Sequence, residues 1–138
     1  MNRTDLQTLV TLRLRDARVL LDNGCFEGAY YLAGYAVECA LKACIAKQIK
    51  RYDFPDKKLV SDSYSHDLIQ LIRVAGLTAD HTLALKSSTN FTINWSIVSK
   101  WSEQTRYQSS IAQIEAENIY RAITVRRDGV LTWLKKYW

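Results

Sequence analysis

Proline occurs once in this 138-residue chain, at Pro55, so almost nothing in the sequence interrupts long helices. Segments with the alternating pattern of a β-strand are also nearly lacking, which excludes a fold built on a sheet. A chain of this length has room for one hydrophobic core. The sequence therefore predicts an all-α protein that forms a single domain over residues 1–138.

The motifs of common catalytic and metal sites are missing as well. The chain has no HExxH, no CxxC, no P-loop and no GxSxG, and it contains only two histidines. Its three cysteines are an odd number, and Cys39 and Cys44 lie about 140° apart around a predicted helix, so they do not converge on a metal ion. We expect reduced core cysteines in a cytoplasmic protein, with no cofactor and no bound metal.

The net charge of +5 is a mild excess that is compatible with a nucleic-acid partner. Part of it lies in one basic segment after the central helix, and its cations could contact phosphate or could simply be solvated. These cations are Lys47, Lys50, Arg51, Lys57 and Lys58. The polar N-terminus, MNRTDLQTL, predicts no signal peptide.

The longest apolar stretch runs from residue 26 to residue 46, with the sequence FEGAYYLAGYAVECALKACIA. It is long enough to span a membrane, but it carries Glu27, Glu38 and Lys42, and nothing else in the chain resembles a membrane protein. We therefore expect no membrane contact and interpret this stretch as a buried central helix that extends to about Tyr52. Glu38 and Lys42 have the i, i+4 spacing of a favourable ion pair.

The first helix is expected from about Asp5 to Leu21, with Thr4 as its N-cap, and the short turn after it makes the central helix antiparallel to it. Arg13 lies near the middle of its apolar face, where a guanidinium needs an ionic partner. Three interpretations stay open: Arg13 pairs with Glu38, extends to the edge of the bundle, or lies in a subunit interface.

After the central helix, the sequence predicts shorter and less regular elements. Residues 53–64 are predicted to be a loop, and a third helix is predicted to begin with Ser65 as its N-cap and to end at Gly76. A weaker helix is expected over residues 79–89 with His81 exposed, an extended segment at 90–94, and one long last helix at 111–136. His66, at the start of the third helix, is either an acid/base group or a hydrogen-bonding residue beside the cap.

A family resemblance rests on three segments of the sequence. They are Ala29-x-Tyr31-x-Ala33-Gly34-Tyr35-Ala36-Val37-Glu38-x-Ala40-Leu41-Lys42, then Ser65-His66-Asp67-Leu68, then Arg106-Tyr107. Their order and spacing resemble the HEPN domain (higher eukaryotes and prokaryotes nucleotide-binding). The resemblance implies an up-and-down bundle of four to five helices that commonly forms a homodimer. It also implies a ribonuclease, an RNA-binding or nucleotide-binding unit, or the partner of a small nucleotidyltransferase in a toxin–antitoxin pair.

One departure from that family limits what the resemblance implies. HEPN ribonucleases carry an Arg-x4–6-His motif, and no arginine of this chain stands at that distance before His66 or His81. We therefore expect a binding module, with binding candidates at Tyr31, Tyr35, Glu38, Lys42 and Asp67. The alternatives are a metal-independent ribonuclease with a rearranged site at His66, Arg106 and Tyr107, and a purely structural or oligomerisation protein.

Overall fold

The computed structural model describes residues 1–49 and 53–138 of the chain. Within these ranges it forms eight α-helices and one 3₁₀ helix and contains no strand, so the predicted all-α helical bundle is confirmed. In chain order the helices are α1 (Arg3–Asp22), α2 (Phe26–Lys47), α3 (Lys57–Ser63), α4 (Leu68–Val74), α5 (Thr78–Ser87), α6 (Thr89–Val98), the 3₁₀ helix (Glu103–Tyr107), α7 (Gln113–Thr124) and α8 (Val130–Leu134).

The antiparallel pair of α1 and α2 is the largest packing unit of the bundle. α1 begins earlier than predicted because Asn2, rather than Thr4, is its N-cap: the Asn2 side chain accepts from the backbone N–H of Asp5, and Asp5 bonds back to Asn2. Gly24, with φ of +76°, makes the turn into α2. α2 ends at Lys47 with Gln48 as its C-cap, so the predicted extension to Tyr52 is wrong at residues 48 and 49, and residues 50–52 lie outside the described ranges.

α2 is the centre of the bundle, as its composition predicts. It contacts α1, α4, α7, α8 and the 3₁₀ helix, and most of its residues are buried. Gly34 allows the segment between α6 and the 3₁₀ helix to pack closely on α2, because a Cβ built at this position would overlap the indole ring of Trp101. In the part of the chain that the structure describes, none of the helices combines the length and the apolar character needed to cross a membrane.

The segment between α2 and α4 differs from the prediction. Residues 57–63 form a helix instead of a loop, because Pro55 stands outside it and Asp56 caps it by accepting from the backbone N–H of Lys58. The next helix begins at Leu68, so the assignment of Ser65 as its N-cap is wrong. Asp67 is the cap, and its Oδ1 accepts from the N–H groups of Ile69 and Gln70.

The second half of the chain contains more breaks than its sequence suggests. Residues 89–98 are helical, so the extended segment predicted at 90–94 is wrong; Ser88 caps this helix by accepting from the N–H of Phe91. The single last helix predicted over 111–136 is also wrong. α7 ends at Thr124, Asp128 adopts φ of 61°, and α8 starts at Val130.

Candidate functional site

Glu38 is the buried acidic residue at the centre of the candidate site. Its side chain is only 2% exposed, although it sits midway along α2 among apolar neighbours. Its Oε1 accepts from Nζ of Lys42 at 2.9 Å, one helical turn away, which confirms the predicted i, i+4 pair. Its Oε2 is buried and has no hydrogen-bond partner among the described residues. A buried carboxylate needs such partners, because isolated charge in the interior is costly.

The second partner of Glu38 is His66, which precedes α4. Nδ1 of His66 lies 2.9 Å from the same Oε1, and Nε2 lies 3.3 Å from Oε2 of Glu103 at the start of the 3₁₀ helix. A carboxylate offers only acceptors, so the Nδ1 proton of His66 points to Glu38. The contact fixes the orientation of an imidazole ring that is itself 48% exposed.

His66 and Glu103, which contact each other, both line a cleft of about 510 Å³. The cleft, which we call the His66 cleft, is lined by residues 65–69 on one side and residues 99–104 on the other. Its charged residues are of both signs, with Asp67 and Glu103 against Lys100. Trp101, packed on Gly34, forms part of the wall and connects the cleft to α2.

Tyr31 and Tyr35 share the face of α2 that carries Glu38, as their spacing predicts. Their rings are stacked with centroids 6.2 Å apart, and the Tyr31 ring lies 6.0 Å from that of Trp101. Burial, followed by its neighbour Cys39, raises the pKa of Tyr35 to about 12. Tyr35 is therefore a neutral, partly buried phenol that supports Tyr31 from the side of the core.

Arg106 and Tyr107 end the 3₁₀ helix and are both exposed to solvent. The guanidinium of Arg106 lies 4.9 Å from the centroid of the Tyr107 ring, which is a cation–π contact. Tyr107 is the largest of the influences that raise the pKa of Arg106, and Tyr31 and Glu103 raise it further. Arg106 and Tyr107 thus form an exposed cationic and aromatic pair, and together with the half-buried Tyr31 they are named here the Arg106 surface.

Not every predicted binding residue is free to meet a ligand. Asp67 lines the cleft, but its Oδ1 is used to cap α4. Lys42 is 21% exposed, and its ammonium group is bonded to Glu38. Of the basic segment, Lys58 pairs with Asp62 at 3.3 Å, while Lys50 and Arg51 lie outside the described residues.

The pairing of Arg13 with Glu38 is wrong. Nη1 of Arg13 bonds to Asp16 at 3.1 Å within α1, and the side chain stays 31% exposed. Nε of Arg13 is nevertheless buried and has no partner among the residues that the structure describes. The guanidinium therefore extends along the bundle towards solvent while its stem is covered, as long cationic side chains commonly do.

The second histidine and two of the three cysteines pack in the core, and none of these residues lines the cleft. His81 is not exposed as predicted: its ring packs edge-on against Trp95 at 4.6 Å, and its Nε2 is buried. Cys39 and Cys44 are buried free thiols, and Cys25 is an exposed one. Within residues 1–49 and 53–138 no three His, Cys, Asp or Glu side chains come together in a way that could hold a metal ion.

Three residues of the site were missed by sequence reasoning, namely Lys100, Trp101 and Glu103. They follow α6 in a segment whose apolar residues show no helical periodicity and which contains no known motif. Their proximity to Arg106 and Tyr107 in the sequence was the available signal.

Comparison of the chain with protein-family models, with characterised proteins and with solved structures finds no match.

Proposed function

We propose that this protein is a HEPN-type helical module that binds single-stranded RNA on the Arg106 surface and along the adjoining His66 cleft. The observation that carries the proposal is the exposed Arg106–Tyr107 pair, which ends the 3₁₀ helix whose first residues line the cleft. The Tyr31 ring lies 6.0 Å from that of Trp101, which also lines the cleft. An exposed aromatic ring stacks on any base, and a guanidinium beside it binds the backbone phosphate. In this proposal the protein is a cytoplasmic homodimer that works next to a small nucleotidyltransferase in a toxin–antitoxin pair.

The Glu38 network supports this binding role. The hydrogen bond between Glu38 and His66 and the 3.3 Å contact between His66 and Glu103 link α2, the segment before α4 and the 3₁₀ helix. They hold the two walls of the cleft at a fixed separation, so the surface is organised before a ligand arrives. Preorganisation of this kind favours affinity because less side-chain ordering remains to be done on binding.

Binding of a fluorescent single-stranded RNA, followed by anisotropy at two salt concentrations, tests the proposal. Affinity falls with salt, and Arg106→Ala lowers both the affinity and the salt slope, by about 0.7 for each lost phosphate contact. Tyr107→Ala weakens binding while Tyr107→Phe retains it, because the ring and not the hydroxyl stacks. Lys86→Ala, an exposed cation of α5, is the matched control and leaves the affinity unchanged. Absence of binding at low salt would favour a purely structural or oligomerisation protein.

A second candidate function is metal-independent RNA cleavage, and the Glu38–His66 contact favours it. A buried carboxylate that orients Nδ1 leaves Nε2 as the proton-exchanging atom at the cleft once the substrate displaces its 3.3 Å contact with Glu103. In this reaction Nε2 takes the proton of a ribose 2′-hydroxyl, the 2′-oxygen bonds to the adjacent phosphorus, and the bond to the 5′-oxygen breaks. The leaving oxygen takes a proton from water, and Arg106 stabilises the charge on the phosphate.

Cleavage of the same RNA in the presence of a chelator separates the two candidates. The ribonuclease requires product to form in the wild type and to fall by about 100-fold or more in His66→Ala and Arg106→Ala. A preparation that binds RNA and leaves it intact is a binding module. Cleavage unaffected by both substitutions would assign the activity to a different site.

A further inference from the structure

A second groove lies between α6 and α7, and it shares none of its lining residues with the His66 cleft. Its volume is about 320 Å³. Asn90 and Asn94 line it from α6, Asn118 and Arg121 line it from α7, and Arg127 lines it from the loop that follows α7. We call it the Arg127 groove.

The charge of this groove is unbalanced. Two guanidinium groups line it, and no aspartate or glutamate does. Across residues 1–49 and 53–138, Arg121 and Arg127 take part in no ion pair, and the side chains of Asn90 and Asn118 form no hydrogen bond with another residue. Five guanidinium donors on each arginine and two on each amide are therefore available to an incoming acceptor.

Two side-chain hydrogen bonds anchor the loop that carries Arg127. Nδ2 of Asn94 donates to the carbonyl oxygen of Asp128 at 2.9 Å, and Oγ1 of Thr132 donates to the carbonyl oxygen of Val125 at 3.2 Å. Asp128 takes the left-handed φ of 61°, a conformation that aspartate tolerates better than most residues. Gly129 is required by the close approach of the Val125 carbonyl, which a Cβ would overlap. Arg127 therefore projects from a fixed backbone.

We propose that the Arg127 groove binds a terminal phosphate group of a nucleotide or of an RNA 5′ end. Two guanidiniums that take part in no ion pair match a dianion, and a phosphate monoester carries about −1.5 to −2 charges at neutral pH. An internal phosphodiester carries a single charge and matches the groove less well. The planar donors of arginine suit phosphate oxygens, and the amides of Asn90 and Asn118 lie beside them to bind the attached sugar or base.

This site is independent of the proposed function, since RNA binding at the Arg106 surface can fail while the Arg127 groove binds its ligand. The experiment therefore measures binding to the full chain with probes that differ only in one phosphate. The first pair is adenosine 5′-monophosphate against adenosine, measured by calorimetry. The second pair is a short single-stranded RNA with a 5′-phosphate against the same RNA with a 5′-hydroxyl.

The phosphorylated member of at least one pair binds more tightly than its partner by about tenfold or more. A preference in the first pair identifies a nucleotide as the ligand, and a preference in the second pair identifies an RNA 5′ end. Arg127→Ala removes this preference, and Arg121→Ala reduces it. Arg126→Ala is the matched control, because Arg126 is an equally exposed neighbour in the same loop and does not line the groove.

Three results would overturn the proposal. The first is equal affinity for both members of each pair. The second is an equal loss of affinity in Arg126→Ala and Arg127→Ala, which would indicate charge without a defined site. The third is a phosphate preference that survives both Arg121→Ala and Arg127→Ala. Circular dichroism of these variants confirms the fold, which removal of exposed arginines leaves intact.

Discussion

Oε1 of Glu38 lies 2.9 Å from Nδ1 of His66, although 28 residues separate them in the sequence. The contact joins the middle of the central helix to a segment that precedes α4, and it places an imidazole ring at the mouth of a cleft. Because the carboxylate is 2% exposed and the imidazole is 48% exposed, the pair connects the core to the surface. The proposed site depends on this connection.

Replacement of the buried carboxylate tests how much this connection stabilises the fold. Glu38→Gln keeps the shape of the side chain but leaves the ammonium of Lys42, itself only 21% exposed, without its counter-charge. We expect the free energy of unfolding to fall by about 2 kcal/mol, below the full cost of breaking a buried pair because Lys42 reaches solvent. Urea unfolding measures it.

The matched control for this change is Asp62→Asn, which removes a carboxylate from an i, i+4 pair whose lysine is 76% exposed. Exposed pairs contribute little, so this change alters stability by no more than about 0.5 kcal/mol. Similar losses of unfolding free energy in both variants would show that Glu38 stabilises the fold no more than an exposed ion pair does.

Gly34→Ala is expected to destabilise the protein, against the usual trend in helices. Alanine is favoured over glycine inside a helix by about 1 kcal/mol, but a Cβ at Gly34 would overlap the indole ring of Trp101. Displacement of a buried ring costs about 1–3 kcal/mol, so the steric term outweighs the helix propensity. Thermal unfolding of the variant measures the balance.

Gly28→Ala provides the opposite case in the same helix. Its Cβ would lie 3.1 Å from Cδ1 of Leu20, at the end of a flexible side chain that can move. This variant is expected to be as stable as the wild type or slightly more stable. If Gly34→Ala is equally stable, then Trp101 does not pack on α2 as described.

The stability of the protein is expected to fall in mild acid because of His81. Burial lowers the pKa of His81 below 6.5, so the folded state holds the ring neutral. As pH falls through about 6.5, the unfolded chain takes up a proton that the folded chain does not, and the free energy of unfolding decreases until pH reaches the lowered pKa. NMR titration of the ring, with a midpoint below 6.5, checks the cause directly.

Urea unfolding at about pH 7.5 and about pH 5.5 checks the consequence. His81→Phe, which retains an aromatic ring beside Trp95, loses this part of the pH dependence. His66→Gln keeps it, because His81 is still present. A midpoint for His81 at or above 6.5 would contradict the packed, buried ring.

Thiol reactivity is expected to separate Cys25 from the other two cysteines. Burial raises the pKa of Cys39 to about 11 and that of Cys44 to about 12, so both remain protonated and covered. Cys25 is exposed, and a disulfide reagent modifies it rapidly at neutral pH. One thiol reacts in the native protein and three react in denaturant, while Cys25→Ser shows none in the native state. Rapid modification of two native thiols would show that α2 is accessible.

Features set by short-range spacing were predictable from the sequence. The helix of residues 26–47 and the Glu38–Lys42 pair follow from helical periodicity and from an i, i+4 contact that needs no tertiary information. The turn at Gly24 follows from a residue that adopts positive φ readily. These features account for the all-α class and for one face of the site.

Features that depend on tertiary packing were not predictable. His81 occupies a polar first turn in the sequence, and only the fold brings Trp95 against it. The pairing of Arg13 with Glu38 was one of three open interpretations because both residues interrupt apolar faces, but Asp16 is nearer within its own helix. The break after Thr124 contains no proline, and it is stabilised by Asn94 from a different helix. Glu103 reaches His66 only through chain reversals that local patterns do not encode.

Mapping of RNA contacts by NMR tests the central claim most directly. Backbone amide shifts of the full chain are followed while a short single-stranded RNA with a 5′-hydroxyl is added, so that no terminal phosphate is present. The account predicts shift changes concentrated at residues 99–107 and at Tyr31, with smaller changes at residues 65–69, and loss of these changes in Arg106→Ala. Saturable changes that leave these residues unaffected, or no changes at low salt, would contradict it.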